Sequence, residues 1–287
     1  MTPNHSETPV YIKDGILVIT ADSHTNSRGG LMPPYVRKLS GNQEKANPVQ
    51  RLLWRGWLKS WDFIQSVKNE WSLPVVTIFN GDSVDKNKHD PWDAICQNNT
   101  EILNMAVETL TPALDVSDSY YFTKGTEAHT GRHGWFEDEL AKDLGCPQNG
   151  SGYAHPSIYM ELGGQSFDIR HHTESNSMRT WTKGGGAMRS SKLVWDYYMM
   201  SNDKPPDWAI RNHVHHFEDS GRNWSTRCLF LPCWQAPGPW LHRIGLGAKM
   251  PEFGLAYFVC KGGRVREWDI VEVPVKRSKP MRPEMMV

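Results

Sequence analysis

Five apolar runs in this chain each stop at an acid or a histidine, and those ends carry most of the residues that could do chemistry. Asp22-Ser23-His24 follows GILVITA (15–21), and Asp82 and Asp85, in NGDSVD, follow LPVVTIFN (73–80). Glu127 and His129, in KGTEAH, follow SYYFTK (119–124). His171-His172 closes QSFDIRHH, and His213, His215 and His216, in NHVHH, close the run that begins DWAIRNH at 207. Carboxylates mixed with imidazoles suit Zn, Mn or Fe and serve Ca or Mg alone poorly. Two such ions sharing one carboxylate can lower the pKa of a bound water and stabilise in-line attack at phosphorus. That chemistry also needs a residue able to protonate the leaving oxygen.

The elements around these ends must bring them together. In an extended segment residues two apart point the same way, so Asp22 and His24 are expected to converge. Helical spacing of Leu53, Trp57, Trp61, Ile64 and Val67 predicts a helix over 49–71. A second helix is predicted over 92–114, with Ile95, Ile102, Val107 and Leu110 on its buried face. Strand, helix, strand, helix, strand is the alternation of an α/β fold, and the carboxyl ends of its strands border the ligand crevice. Further on, HPSIYMEL and QSFDIRHH read as a hairpin turning at Gly163-Gly164. A helix over 189–200, runs at 207–213 and 226–234, and a hairpin over 254–273 turning at Gly262-Gly263 complete the reading. Residues 26–48 read as a surface loop. One domain is expected over 1–275, with a loosely ordered tail at 276–287.

Composition bounds the partners. The chain has 287 residues and equal numbers of basic and acidic side chains, 32 each, so it does not hold nucleic acid through bulk positive charge. A local basic groove, and with it a nucleic-acid substrate, stays open. Thirteen Trp speak for a packed core. No apolar run reaches the roughly 18–20 residues of a membrane span, and the N-terminus lacks the pattern of a secretory signal. Five scattered Cys form no CxxC pair and read as reduced thiols, so the expected compartment is the cytoplasm.

In this order, DSH, GDSVD, a Gly-anchored turn bearing His, a strand-end His and NHVHH resemble the blocks of calcineurin-like metallophosphoesterases. Those blocks read DxH, GDxxD, GNH followed by an acid, a lone His, and GHxH. The match spans about residues 16–218, and KGTEAHTG, IRNHVHHF and LPCWQ also look like the phage and prophage branch, which would place the chain in a host cytoplasm. The resemblance implies two packed mixed β-sheets flanked by helices, an α/β sandwich with metals at the strand ends. It implies two divalent metal ions (Mn, Zn or Fe) and hydrolysis of a phosphomonoester or phosphodiester by a metal-bridging hydroxide. Carried over by position, Asp22 and His24 resemble ligands of the first metal, joined by His215. Asp82 resembles the bridging carboxylate, and His213 a ligand of the second metal. Either His171 or His172 supplies the fourth block; His172 is favoured, because the family's His usually opens the turn. Asp85 is expected to orient a ligand or loop.

Two positions depart from the pattern. Thr126 stands where the third block has Asn, so Glu127 is expected to supply the missing oxygen to the second metal and His129 to protonate the leaving group. Asn212 stands where the fifth block has Gly, which a turn with positive φ tolerates. Two other readings remain: a nuclease, and a metal-stabilised binding protein whose catalysis is reduced by the altered third block. Elsewhere bland readings prevail. His216 is expected to be a neighbour of the ligands, and His5, His89, His133, His155 and His242 match no block. Trp54, Trp57 and Trp61 read as packing. Trp234 and Trp240 could line a cleft or pack. Gly184-Gly185-Gly186, between Arg179 and Arg189, could form a loop presenting guanidinium groups or a plain linker.

Overall fold

The computed structural model describes residues 13–86, 93–148, 150, 152–174, 182–237 and 251–275. In chain order the elements are β1 (Gly15–Thr20), β2 (Tyr35–Arg37), β3 (Gln43–Lys45), α1 (Pro48–Trp71), β4 (Val75–Asn80), α2 (Asn99–Val116), β5 (Ser119–Thr123), α3 (Glu127–Thr130) and α4 (Trp135–Asp143). There follow β6 (Ile158–Leu162), β7 (Gln165–Ile169), α5 (Gly185–Met200), β8 (Trp208–Arg211), β9 (Glu218–Asp219), β10 (Arg227–Phe230), β11 (Gly254–Cys260) and β12 (Val265–Glu272).

Alternation along β1 sets the layers. Ile16 and Val18 pack with Leu53, Trp57, Trp61 and Ile64 of α1 and with Ile102, Ala106 and Leu110 of α2. Their neighbours Leu17 and Ile19 face the other way, where they meet Phe167, Ile169, Trp208, Ile210 and Leu229 of a second sheet. All six residues of β1 are buried, as a strand covered on both faces requires. The first sheet runs β12-β11-β1-β4-β5, with β1, β4 and β5 parallel. The second runs β6-β7-β8-β10-β9, with β7, β8 and β10 parallel. Helix α5 covers the outer face of the second sheet through Ala187 and Val194. Two mixed sheets packed face to face with helices outside is the fold that the sequence resemblance implies.

Local chemistry fixes the helix ends. Asn47 accepts hydrogen bonds from the Val49 and Gln50 N–H groups, Gln50 accepts one back from the Asn47 N–H, and Pro48 occupies the first turn of α1. Asn98 caps α2 by accepting the Thr100 and Glu101 N–H groups, so that helix begins at Asn99 and not at 92. The small hairpin β2–β3 lies inside the expected loop 26–48. The glycines expected to form a loop before Arg189 instead open α5, which starts at Gly185. His5, His89, Arg179, His242, Trp240 and the tail 276–287 lie outside the described residues.

Candidate metal centre

The backbone at the strand ends is turned, not extended. Asp22, His24 and Asp82 have φ of 53°, 41° and 50°, and His213 and His215 have 70° and 58°. Non-glycine residues in this region cost about 1–2 kcal/mol each and gather where a site demands a particular aim. The expected convergence of Asp22 and His24 along a straight strand is thus replaced by two left-handed turns. Loop-to-loop bonds hold those turns: the Asp22 N–H donates to the Gly81 carbonyl at 3.0 Å and the His24 N–H to the Asp82 carbonyl at 2.9 Å. In NHVHH the positive φ falls on His213 and His215; Asn212, expected to take it, instead donates its N–H to the His171 carbonyl at 3.0 Å.

Two glycines leave room for the ligands. A Cβ on Gly81 would lie 2.5 Å from His171 Nδ1, and one on Gly125 would lie 2.2 Å from Asp82 Oδ1. Any side chain at either position would displace the imidazole or the carboxylate.

The side chains meet in overlapping groups whose candidate ligand atoms all lie within 4.8 Å of one another. One group is Asp22, His24 and His215, and another is His171, His172 and His213. Asp82 joins Asp22 and His171 in a third group, and His24 and His129 in a fourth. His215 Nε2 is 3.3 Å from Asp22 Oδ1, and His171 Nε2 is 3.1 Å from Asp82 Oδ2. Asp22 Oδ1 and both ring nitrogens of His24 are buried and have no hydrogen-bond partner among the described residues. Buried carboxylate oxygens and imidazole nitrogens left this way fit divalent transition-metal ions.

His171 and His172 both reach the cluster. The expectation that only one could do so assumed a regular strand, and β7 ends at Ile169, before either. His171 is buried, and its Nδ1–H donates to the Asn80 carbonyl at 2.7 Å, leaving Nε2 toward Asp82. His172 is exposed, with its ring centroid 5.0 Å from those of His171 and His213.

Glu127 stands apart from this cluster. Its side chain is 65% exposed at the start of α3, where Oε1 accepts the His133 N–H at 3.0 Å. Thr126 sits inside instead. Its N–H donates to Asp82 Oδ1 at 2.6 Å, and its hydroxyl lies 3.2 Å from His213 Nδ1 and 3.5 Å from His171 Nε2. The signal was its position directly after Gly125, where the motif has Asn.

His129 approaches from the side of His24, with ring centroids 4.6 Å apart. Asp85 links the two, with Oδ1 3.0 Å from His129 Nδ1 and Oδ2 3.5 Å from His24 Nδ1. Asn80, unremarked in the sequence, ties the sheets together: its Nδ2 donates to Asn212 Oδ1 at 2.7 Å, while its own Oδ1 accepts the Thr123 hydroxyl at 2.6 Å. His216 bonds to the Val214 carbonyl and Glu218 and joins none of the groups. Trp234 is fully buried, donates to Thr20 Oγ1 at 3.0 Å and packs edge-on to Trp57, so its role is packing.

Electrostatics divides the cluster. Burial raises the pKa of Asp22 and Asp82, but attraction to His215, His171 and His24 overrides it, and both carboxyls are held well below the usual range. Burial likewise works against charge on His24, yet Asp22, Asp85 and Asp82 raise it to about 10, and Asp82 and Asp22 raise His171 to about 9. His213 goes the other way, lowered to about 4 by burial and by repulsion from His171. His172 is lowered for the same two reasons. Glu137 of α4, fully buried beside the Asp82 loop, is raised by burial and by Asp82 to about 8.

No protein-family model matches the sequence, and no curated protein matches it. Among solved structures the chain is similar to a dimetal phosphatase from Danio rerio, with 9% identity over 91% of this chain and 100% of that one, TM-score 0.44. It is similar to the sulfate thiohydrolase SoxB from Thermus thermophilus, with 11% identity over 93% of this chain and 58% of that one, TM-score 0.42. It is also similar to a single-substitution Vps29 from Entamoeba histolytica, with 11% identity over 90% of this chain and 98% of that one, TM-score 0.41. Likenesses this remote leave the chemistry to be read from the chain's own side chains. Among the described residues, no helix is long and apolar enough to cross a membrane.

Proposed function

We propose that this chain is a calcineurin-like hydrolase of phosphate esters, monoester or diester, that works with two divalent cations. The observation that carries the reading is the convergence of Asp22, His24, Asp82, His171, His172, His213 and His215 from the ends of strands in both sheets. Asp22, His24 and His215 would hold one ion, His213 with His171 or His172 the other, and Asp82 both. When bound, the ions supply an acidified water and neutralise charge developing on the phosphoryl oxygens.

The remaining work falls to the chain's own groups. Asp85 accepts the Nδ1–H of His129 and so leaves Nε2 as the atom that carries a proton to the leaving oxygen. Thr126 holds Asp82 through its N–H. Gln235 donates to Asp85 Oδ2 at 3.4 Å and helps to keep that carboxylate turned toward both imidazoles.

The test is metal content together with hydrolysis of p-nitrophenyl phosphate, bis-p-nitrophenyl phosphate and single-stranded DNA. The expected result is metal-dependent cleavage of at least one ester, abolished in Asp82→Ala. Cleavage of DNA ends alone selects the nuclease reading. Metal-loaded protein that cleaves none of the three overturns the enzyme reading.

A further inference from the structure

The second half of the cluster departs from the pattern that the sequence resembles, in two ways that compensate each other. The motif's Asn would offer an amide oxygen, and Thr126 offers only a neutral hydroxyl, 3.2 Å from His213 Nδ1. On the other side an additional imidazole arrives, because His171 and His172 leave the strand together and both bring a ring nitrogen within 4.8 Å of one on His213.

The loop that carries them is pinned at both ends. His171 donates to the Asn80 carbonyl at 2.7 Å, and its own carbonyl accepts the Asn212 N–H at 3.0 Å. Three residues on, Glu174 accepts from Nε of the fully buried Arg211 at 2.8 Å. Arg211 Nη1 also donates to the Asp168 carbonyl at 2.8 Å, so one guanidinium grips the segment before the histidines and the segment after them. Arg211 adjoins Asn212 in the chain and thus ties His171 and His172 to the turn that carries His213.

We infer that the second cation is bound by three imidazoles, His171, His172 and His213, with Asp82, and that His172 replaces the oxygen ligand lost at Thr126. Such a set is richer in nitrogen than that of Asp22, His24, His215 and Asp82 and suits an ion of the zinc type over Mg or Mn. Arg211 and Glu174 are positioning residues for it. The inference rests on the two-cation reading above, and the experiment separates the two.

Zinc is titrated into the metal-free chain and its stoichiometry and affinities are read by calorimetry, with metal content of dialysed protein as a second measure. The wild type is expected to hold two zinc ions. His172→Ala, at an exposed position whose loss leaves the core intact, should keep one ion. Its affinity for the other should fall by more than the roughly 10–100-fold that loss of an outer partner costs. Adding Thr126→Asn to His172→Ala should bring the second ion back, because an amide oxygen returns to the site. Wild type that binds no zinc overturns the two-cation reading itself. Two ions held with unchanged affinity in His172→Ala overturn the three-imidazole site alone. A folded double variant that stays at one ion overturns the exchange between Thr126 and His172.

Discussion

The two halves of the cluster are built differently. Around Asp22 and His24 every candidate ligand but His215 is nearly inaccessible, and attraction between carboxylates and imidazoles outweighs burial, so in the metal-free chain the imidazoles keep protons. Around His213 and His172 the imidazoles are half-buried or exposed and lose their protons readily, because burial and the charged His171 both work against a further cation. One half holds itself together by ion pairing and must release protons to a metal; the other presents neutral nitrogen lone pairs at His213 and His172. Loading order follows from this contrast: as pH is raised from acid, His213 and His172 free their lone pairs before His24 does, so the imidazole-rich half fills first.

Breaking the link between the halves has the largest expected effect. Asp82→Ala removes the carboxylate proposed to serve both halves, and kcat/KM should fall by more than the roughly 10²–10³-fold that loss of one electrostatic donor costs. Metal analysis should show both ions weakened; a variant that keeps two tightly bound ions would show that Asp82 does not bridge. Next comes stability without metal. His24→Ala leaves the buried Asp22 and Asp85 short of a partner and should cost about 3–5 kcal/mol in urea melts, whereas His172→Ala should stay within about 0.5 kcal/mol. Equal losses would erase the contrast drawn above.

His129→Ala should slow turnover by about 10²-fold or more while metal content stays unchanged, and the loss should shrink for esters with acidic leaving groups. A loss that is the same for every leaving group would remove His129 from proton transfer. The smallest effect concerns pH. Folded Glu137 keeps its proton to about pH 8, while the unfolded chain releases it near the usual 4.5. Between those values the folded state binds more protons, so this group makes stability fall as pH rises. Glu137→Gln should flatten that slope in melts at pH 5, 6.5 and 8; an unaltered slope would mean that the carboxyl is ionised in the fold.

Much of this architecture was legible in the sequence where the physics is periodic. Buried strands such as 15–20 and 75–80 announce themselves as unbroken apolar runs, and α1 as a stripe of Leu53, Trp57, Trp61 and Ile64. Helix α4 leaves little trace in the sequence, because its nine residues, WFEDELAKD, give little more than two turns of pattern. β2 and β3 leave no period, because three-residue strands at the surface bury almost no alternating side chains.

At the site the order of Asp and His blocks was readable, but their aim was not. Aim depends on the left-handed turns at Asp22, His24, Asp82, His213 and His215, which no spacing rule reveals. The place of Thr126 was hidden for a related reason. The acid beside it is the stronger ligand type by sequence, yet the start of α3 carries Glu127 out to solvent and turns the Thr126 hydroxyl inward.

Asn80 and its bonds to Asn212 and to the Arg170 carbonyl have a mechanical consequence. Asp22, His24 and Asp82 follow strands of one sheet; His171, His172, His213 and His215 follow strands of the other. The Asn80 amide is a light stitch across that seam, and cations at the cluster would be rivets through it. In the loaded chain the two sheets should open as one unit, with the amides of β1, β4, β7 and β8 gaining protection from hydrogen exchange together.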